Sequence, residues 1–164
     1  IRSAVEEIDS LLGKIDLMAM PIARRECAGT DLGETVREVC TRLEPSIRAR
    51  GITLDWPEIE PGRSVSAPRR ALEGLLVGLF RAGLALGEGP VARLVLEVTS
   101  DDDHARFRMI AFRGDNVPRE IVLDREARIE LVVALGEWGG GFLAAPNAHA
   151  HELGIELPLR ASHD

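Results

Sequence analysis

The chain has 164 residues, 45% of them hydrophobic and 29% charged. That suits one domain, or a small domain with a helical arm, and excludes a disordered tail. A net charge of −7 and only 4% aromatic residues count against binding a nucleic acid by phosphate neutralisation or base stacking. No apolar run approaches the ~18 residues of a membrane span. The two cysteines, Cys27 and Cys40, are too few for a disulfide framework or a four-ligand zinc site, so they are expected as reduced thiols in a cytoplasmic protein. Arg2, Glu6, Glu7 and Asp9 interrupt any signal-peptide core. The chain begins at Ile1 rather than Met, so we expect a piece of a longer protein.

Ile1, Val5, Ile8, Leu12, Ile15, Ala19 and Ile22 form a coiled-coil-like seam. Residues 1–28 therefore read as a helical arm, weakened at Gly13 and ended or kinked at Pro21. The seam can dock on the domain behind it or pair in a dimer. Residues 29–164 read as a second unit. Thr30–Asp31 with Glu34 marks a capped helix start, and Leu32, Val36, Val39, Leu43 and Ile47 share one face until Gly51. Ile52 to Trp56 alternates as a strand, a loop runs from Pro57 to Arg63, and Ser64 to Ser66 is briefly extended. Ser66 with Pro68 opens a central helix whose stripe is Leu72, Leu75, Leu76, Leu79, Phe80 and Leu86. Arg93 to Thr99 and Ala105 to Arg113 are strands paired through the turn Asp101 to His104. After a loop from Gly114 to Pro118, Arg125 to Trp138 is a last helix with Ile129, Val132, Val133 and Leu135 expected inward. Gly139 to Gly141 ends it, and Phe142 to Ala144 and Leu153 to Leu159 are closing strands. This order predicts an α+β fold, a two-layer sandwich with helices on one face of a mixed sheet.

Several short motifs fall in a telling order. They are Asp31-Leu32-Gly33-Glu34, Arg50-Gly51-Ile52-Thr53-Leu54, the helix of Leu72 to Leu86, and Phe107 to Glu120 ending in Gly114-Asp115-Asn116-Val117-Pro118. Trp138-Gly139-Gly140 and Ile155-Glu156-Leu157-Pro158 complete the set. Together they resemble the catalytic ATP-binding domain of sensor histidine kinases, the Bergerat (GHKL) fold shared with gyrase. The resemblance implies ATP and Mg²⁺ as cofactors, a response regulator as partner, and a homodimer formed through the helical arm. It also implies transfer of the γ-phosphate to a histidine upstream, because Ile1 to Met20 contains none.

The chemical motifs depart from that family. Its N box, Asn-Leu-Leu-x-Asn-Ala, falls on Gly78-Leu79-Phe80-Arg81-Ala82-Gly83, so both asparagines are replaced, by Gly78 and Ala82. The adenine-reading Asp of Asp-x-Gly-x-Gly falls on Phe112, Gly114 keeps the next glycine and Asn116 replaces the last. The second glycine box falls near Arg125-Glu126-Ala127-Arg128, with little room for a lid after Pro118. Two readings stay open. In one, nucleotide is held by other groups: Arg81, Arg125 and Arg128 on phosphates, Ala127 at the same helix start, and Gly114, Asp115 or Asn116 near adenine. In the other, the domain holds no nucleotide and serves as a docking module in a phosphorelay.

Other chemistry is weaker. His149 and His151 lack a third metal ligand, Asp101 to Asp103 lack calcium-loop spacing, and Gly139 to Gly141 are not followed by Lys-Ser or Lys-Thr. No residue is expected to act as a catalytic nucleophile, and none as a metal ligand. Cys40 is expected to pack.

Overall fold

A computed structural model describes residues 29–85, 90–143 and 151–160. The helical arm expected over residues 1–28, with its seam and Cys27, lies outside the described residues, as do Leu86, His149 and His163. The elements are β1 (Thr30–Asp31), α1 (Leu32–Arg48), β2 (Thr53–Asp55), β3 (Ser64–Val65), α2 (Arg69–Leu84) and β4 (Arg93–Ser100). They continue with β5 (His104–Phe112), β6 (Pro118–Arg119), α3 (Arg125–Glu137), β7 (Gly141–Phe142) and β8 (Glu152–Pro158).

Local chemistry explains most boundaries. Asp31 caps α1, its carboxylate accepting from the Glu34 N–H at 2.8 Å. Thr30 does not cap; its hydroxyl donates to the Ala67 carbonyl instead. Gly51 takes a positive φ of 76° in the turn after α1, which a side chain would resist. Pro45 sits inside α1 without ending it. At α2 the N-cap is Pro68, with no side-chain cap bond, so Ser66 does not play the capping part its position suggests. The end of α3 is a Schellman turn: the Gly140 N–H donates to the Leu135 carbonyl and the Gly139 N–H to the Gly136 carbonyl. Gly139 has a φ of 74°. A Cβ on Gly140 would stand 2.4 Å from the Glu156 carbonyl oxygen.

The main sheet runs β2-β4-β5-β8-β7, with β6 also paired to β5. β2 and β4 are parallel and the other pairs antiparallel. β8 pairs with His104 to Ile110 of β5, and β6 takes Ala111 and Phe112 beyond them. A two-stranded sheet, β1 with β3, joins the main sheet through the Val65–Leu159 bridge. Leu94 and Leu96 of β4, Ala105, Phe107, Met109 and Ala111 of β5, and Leu153, Ile155 and Leu157 of β8 are all buried. This strict alternation marks one covered face. α2 lies between α1 and α3 in the covering layer. Gly83 lets α2 approach the sheet, since a Cβ there would come within 3.0 Å of Leu94 Cδ2 and Met109 Cγ. The two-layer α+β sandwich expected from the element order is the architecture found.

The expected inward face of α3 is corrected by the structure. Leu135 is buried, but Ile129 and Val132 are each 50% exposed and Val133 is 63% exposed; Leu131 is buried instead. The segment is apolar at Ile129 and at every position from 131 to 135, so its periodicity does not select a face. Packing does, because Gly78 of α2 leaves a notch that Leu131 fills. A second difference is β6, a short strand where the sequence reads only as loop up to Pro118. Among the described residues, no helix is long and apolar enough to cross a membrane.

Candidate nucleotide site

The proposed cleft lies between α2, the turn after β5 and the start of α3. On α2, Gly78 and Ala82 stand one helical turn apart. Ala82 is buried, and a Cβ on Gly78 would meet Leu131 Cδ2 at 3.1 Å. Neither residue carries a side-chain oxygen, so Mg²⁺, which demands oxygen ligands, does not fit this face. Arg81 points toward α3, with its Nη1 3.4 Å from Glu130 Oε2. Its side chain is largely covered while that of Glu130 is exposed.

At the end of β5 the register decides which residues face the cleft. Phe112 stands opposite Arg93 on β4, and the Arg93 guanidinium lies 4.4 Å over its ring. Both belong to the sheet face turned away from the helices, because the intervening Leu94 and Ala111 are the buried ones. The residue that faces the helices at this strand end is Ala111, not Phe112. Neither offers the carboxylate that an adenine amino group needs.

The turn that follows is held by its own side chains. Asp115 Oδ2 accepts from Arg113 Nη2 at 2.9 Å, and Asp115 Oδ1 from the Val117 N–H at 3.3 Å. Asn116 Oδ1 accepts from Arg93 Nη2 at 3.1 Å. Asn116 carries the positive φ, 61°, a conformation that asparagine tolerates better than most residues. Gly114 has open space around its Cα. Asp115 and Asn116 are therefore exposed residues whose acceptor oxygens already serve the turn, and the structure does not bring them to α2.

At the start of α3, Asp124 is the N-cap, its carboxylate accepting from the Ala127 N–H at 2.7 Å. The Arg128 N–H donates to the Asp124 carbonyl. The first turn thus already contains an anion, and a phosphate has to displace it or bind beside it. Arg125 is exposed and Arg128 half-buried on this turn. Of the expected site residues, Arg81 is brought to α3 through Glu130, Arg125, Ala127 and Arg128 share its first turn, and Gly114, Asp115 and Asn116 stay on the outer turn.

Three elements of this region are not legible as site features in the sequence. Asp124 is visible only as a helix cap, an Asp just before a helical run, with nothing to mark it as part of a site. Arg93 and Arg119 carry no sequence signal, because only strand register brings them to this end of the sheet. No group of three or more His, Cys, Asp or Glu side chains able to hold a metal occurs among the described residues.

Solved structures share this fold. The mycobacterial sensor histidine kinase MprB superposes with a TM-score of 0.57 at 16% identity, covering 84% of this chain and all of its own. The fold is that of a histidine kinase catalytic domain. The Acinetobacter baumannii histidine kinase AdeS gives 0.56 at 11% identity, covering 96% of this chain and 77% of its own. Histidine kinase ThkA, in a complex with the response regulator protein TrrA, gives 0.57 at 17%, covering 93% of this chain and 48% of its own. No family profile matches the chain, and no curated protein sequence matches it. The mixed sheet and, among the described residues, the three helices on one face are thus the parts of the fold shared with these kinase domains.

Proposed function

We propose that this chain is the catalytic-type domain of a sensor histidine kinase. In this reading it holds ATP weakly and supports transfer of the γ-phosphate to a histidine outside the domain, and from there to an aspartate of a response regulator. The fold carries the reading: a kinase-type mixed sheet with three helices on one face. The response-regulator partner is supported by the ThkA complex with such a protein, and a homodimer would form through residues 1–28. Arg81, Arg125 and Arg128 are the groups that would neutralise phosphate.

ATP should bind weakly. Loss of a charged hydrogen bond costs about 1.5–3 kcal/mol, or roughly one to two decades of affinity, and the cleft lacks both the carboxylate and the Mg²⁺ ligands. The test is calorimetric titration of the full chain with ATP, with and without Mg²⁺. Heat at millimolar nucleotide that changes little with Mg²⁺ and weakens in Arg81→Ala supports the reading. The absence of heat, with no phosphorylation by a longer protein containing the domain, rejects it.

The packing of Leu131 against Gly78 and the Asp124 cap favour a second reading, a nucleotide-free docking domain in a phosphorelay. It predicts a response-regulator complex whose affinity ATP does not change.

A further inference from the structure

Arg119 is the only buried charged side chain among the described residues, at 4% exposure. It sits on β6 opposite Ala111 of β5, so both side chains share the helix-covered face. Ala111 ends at Cβ and does not compete with the arginine for that space. The guanidinium donates from Nη1 to the Gly83 carbonyl at 3.4 Å and from Nη2 to the Ala85 carbonyl at 2.6 Å. These carbonyls lie where α2 stops, and the last carbonyls of a helix have no helical donor of their own. The chain turns extended at Ala85, with ψ 151°. A cation at this end also complements the helix dipole. Burial pushes the Arg119 pKa down, yet arginine keeps its charge. A planar fork can bridge two carbonyls at once, whereas a lysine ammonium on a flexible stem is a point charge with no such geometry.

The position of Arg119 in the chain gives the bond its consequence. Pro118, its neighbour, follows the turn of residues 113–117 and begins β6. One side chain therefore ties the strand that follows that turn to the end of α2, two of the elements that border the candidate cleft. We propose that Arg119 is a positioning residue: its fork sets the separation between the C-terminal end of α2 and the turn after β5. The functional meaning of this spacing rests on the nucleotide reading above.

The experiment compares the full chain with Arg119→Lys, Arg119→Gln and a destabilised control at a distance, Leu43→Ala on α1. Two quantities are measured: amide hydrogen exchange, and ATP affinity by calorimetry. Exchange should accelerate about tenfold or more in both 82–85 and 113–119 in Arg119→Gln, since both lose a charged tether together. Arg119→Lys should recover only part of that protection, while segments of α1 keep native exchange in both variants. ATP affinity should fall further than in the Leu43→Ala control. Faster exchange confined to 118–119, or full recovery by lysine, overturns the proposal. If Arg119→Gln does not fold, Arg119→Lys decides it by the same criterion. Joint loosening of both segments in a chain that binds no ATP upholds the role of Arg119 and rejects the nucleotide reading instead.

Discussion

Asp101 closes the hairpin between β4 and β5. Its Oδ1 accepts from the Asp103 and His104 N–H groups, each at 2.8 Å, and its Oδ2 lies 2.7 Å from Arg106 Nη2. The two backbone donors first, and Arg106 after them, lower its pKa from 3.8 to about 2. A depressed folded value means that its contribution is complete above the unfolded pKa and is lost as pH falls through the folded one. The native chain should therefore lose its advantage over Asp101→Asn between about pH 4 and pH 2, as read by denaturation midpoints. An unchanged difference across that window would contradict this account. Cys40 shows the opposite effect. Burial, and secondarily Glu44, pushes its thiol from 9.0 to about 12. A buried thiol that stays protonated is a poor nucleophile. At pH 8.5, alkylation of Cys40 should be slower in the native chain than in the denatured chain by roughly three decades, followed by mass spectrometry.

At the scale of elements, α3 is where sequence pattern and packing part company. Its apolar residues nearly encircle it, so burial is set by what α2 presents. Gly78 makes room for Leu131, while Leu135 lies in the core and the half-buried Trp138 packs against it. Leu131→Ala should cost about 2–5 kcal/mol, the usual range for a buried leucine. Val133→Lys, at a position that reads as core in the sequence, should stay within about 0.5 kcal/mol of the native chain. Chemical denaturation of both variants checks the assignment. A larger loss for Val133→Lys would restore the face that periodicity suggested. Gly78→Asn should cost about 1–3 kcal/mol, because its side chain displaces Leu131. Gly78 and the set of the α3 helix are thus one feature.

For the whole molecule, β5 is the centre. It is paired on both edges and contributes Phe107 and Met109, both fully buried, to the core beneath α2. Its amides should exchange only through global unfolding, while β2, an edge strand of three residues, opens sooner. Exchange measured against denaturant tests this. If β2 amides proved as slow as those of β5, the sheet would be opening as a single unit. The buried alternation of β4, β5 and β8 and the stripe of α2 make the core.

The amino-acid sequence by itself determined the order of the helices and of the longer strands, the antiparallel hairpin of β4 and β5, the cap at Asp31, the inward stripes of α1 and α2, and through these the two-layer architecture. These follow from local periodicity and turn chemistry, which act over a few residues. Tertiary structure alone decided which face of α3 is buried, that Phe112 turns away from the helices beneath Arg93, and that Arg119 reaches the end of α2. It also decided that Asp115 and Asn116 spend their oxygens on their own turn. The reason is physical: strand register and helix contact join residues 34 to 53 positions apart, as in Arg119 with Gly83 and Ala85 and in Leu131 with Gly78. A one-residue change of register would send each side chain of the strand to the opposite face.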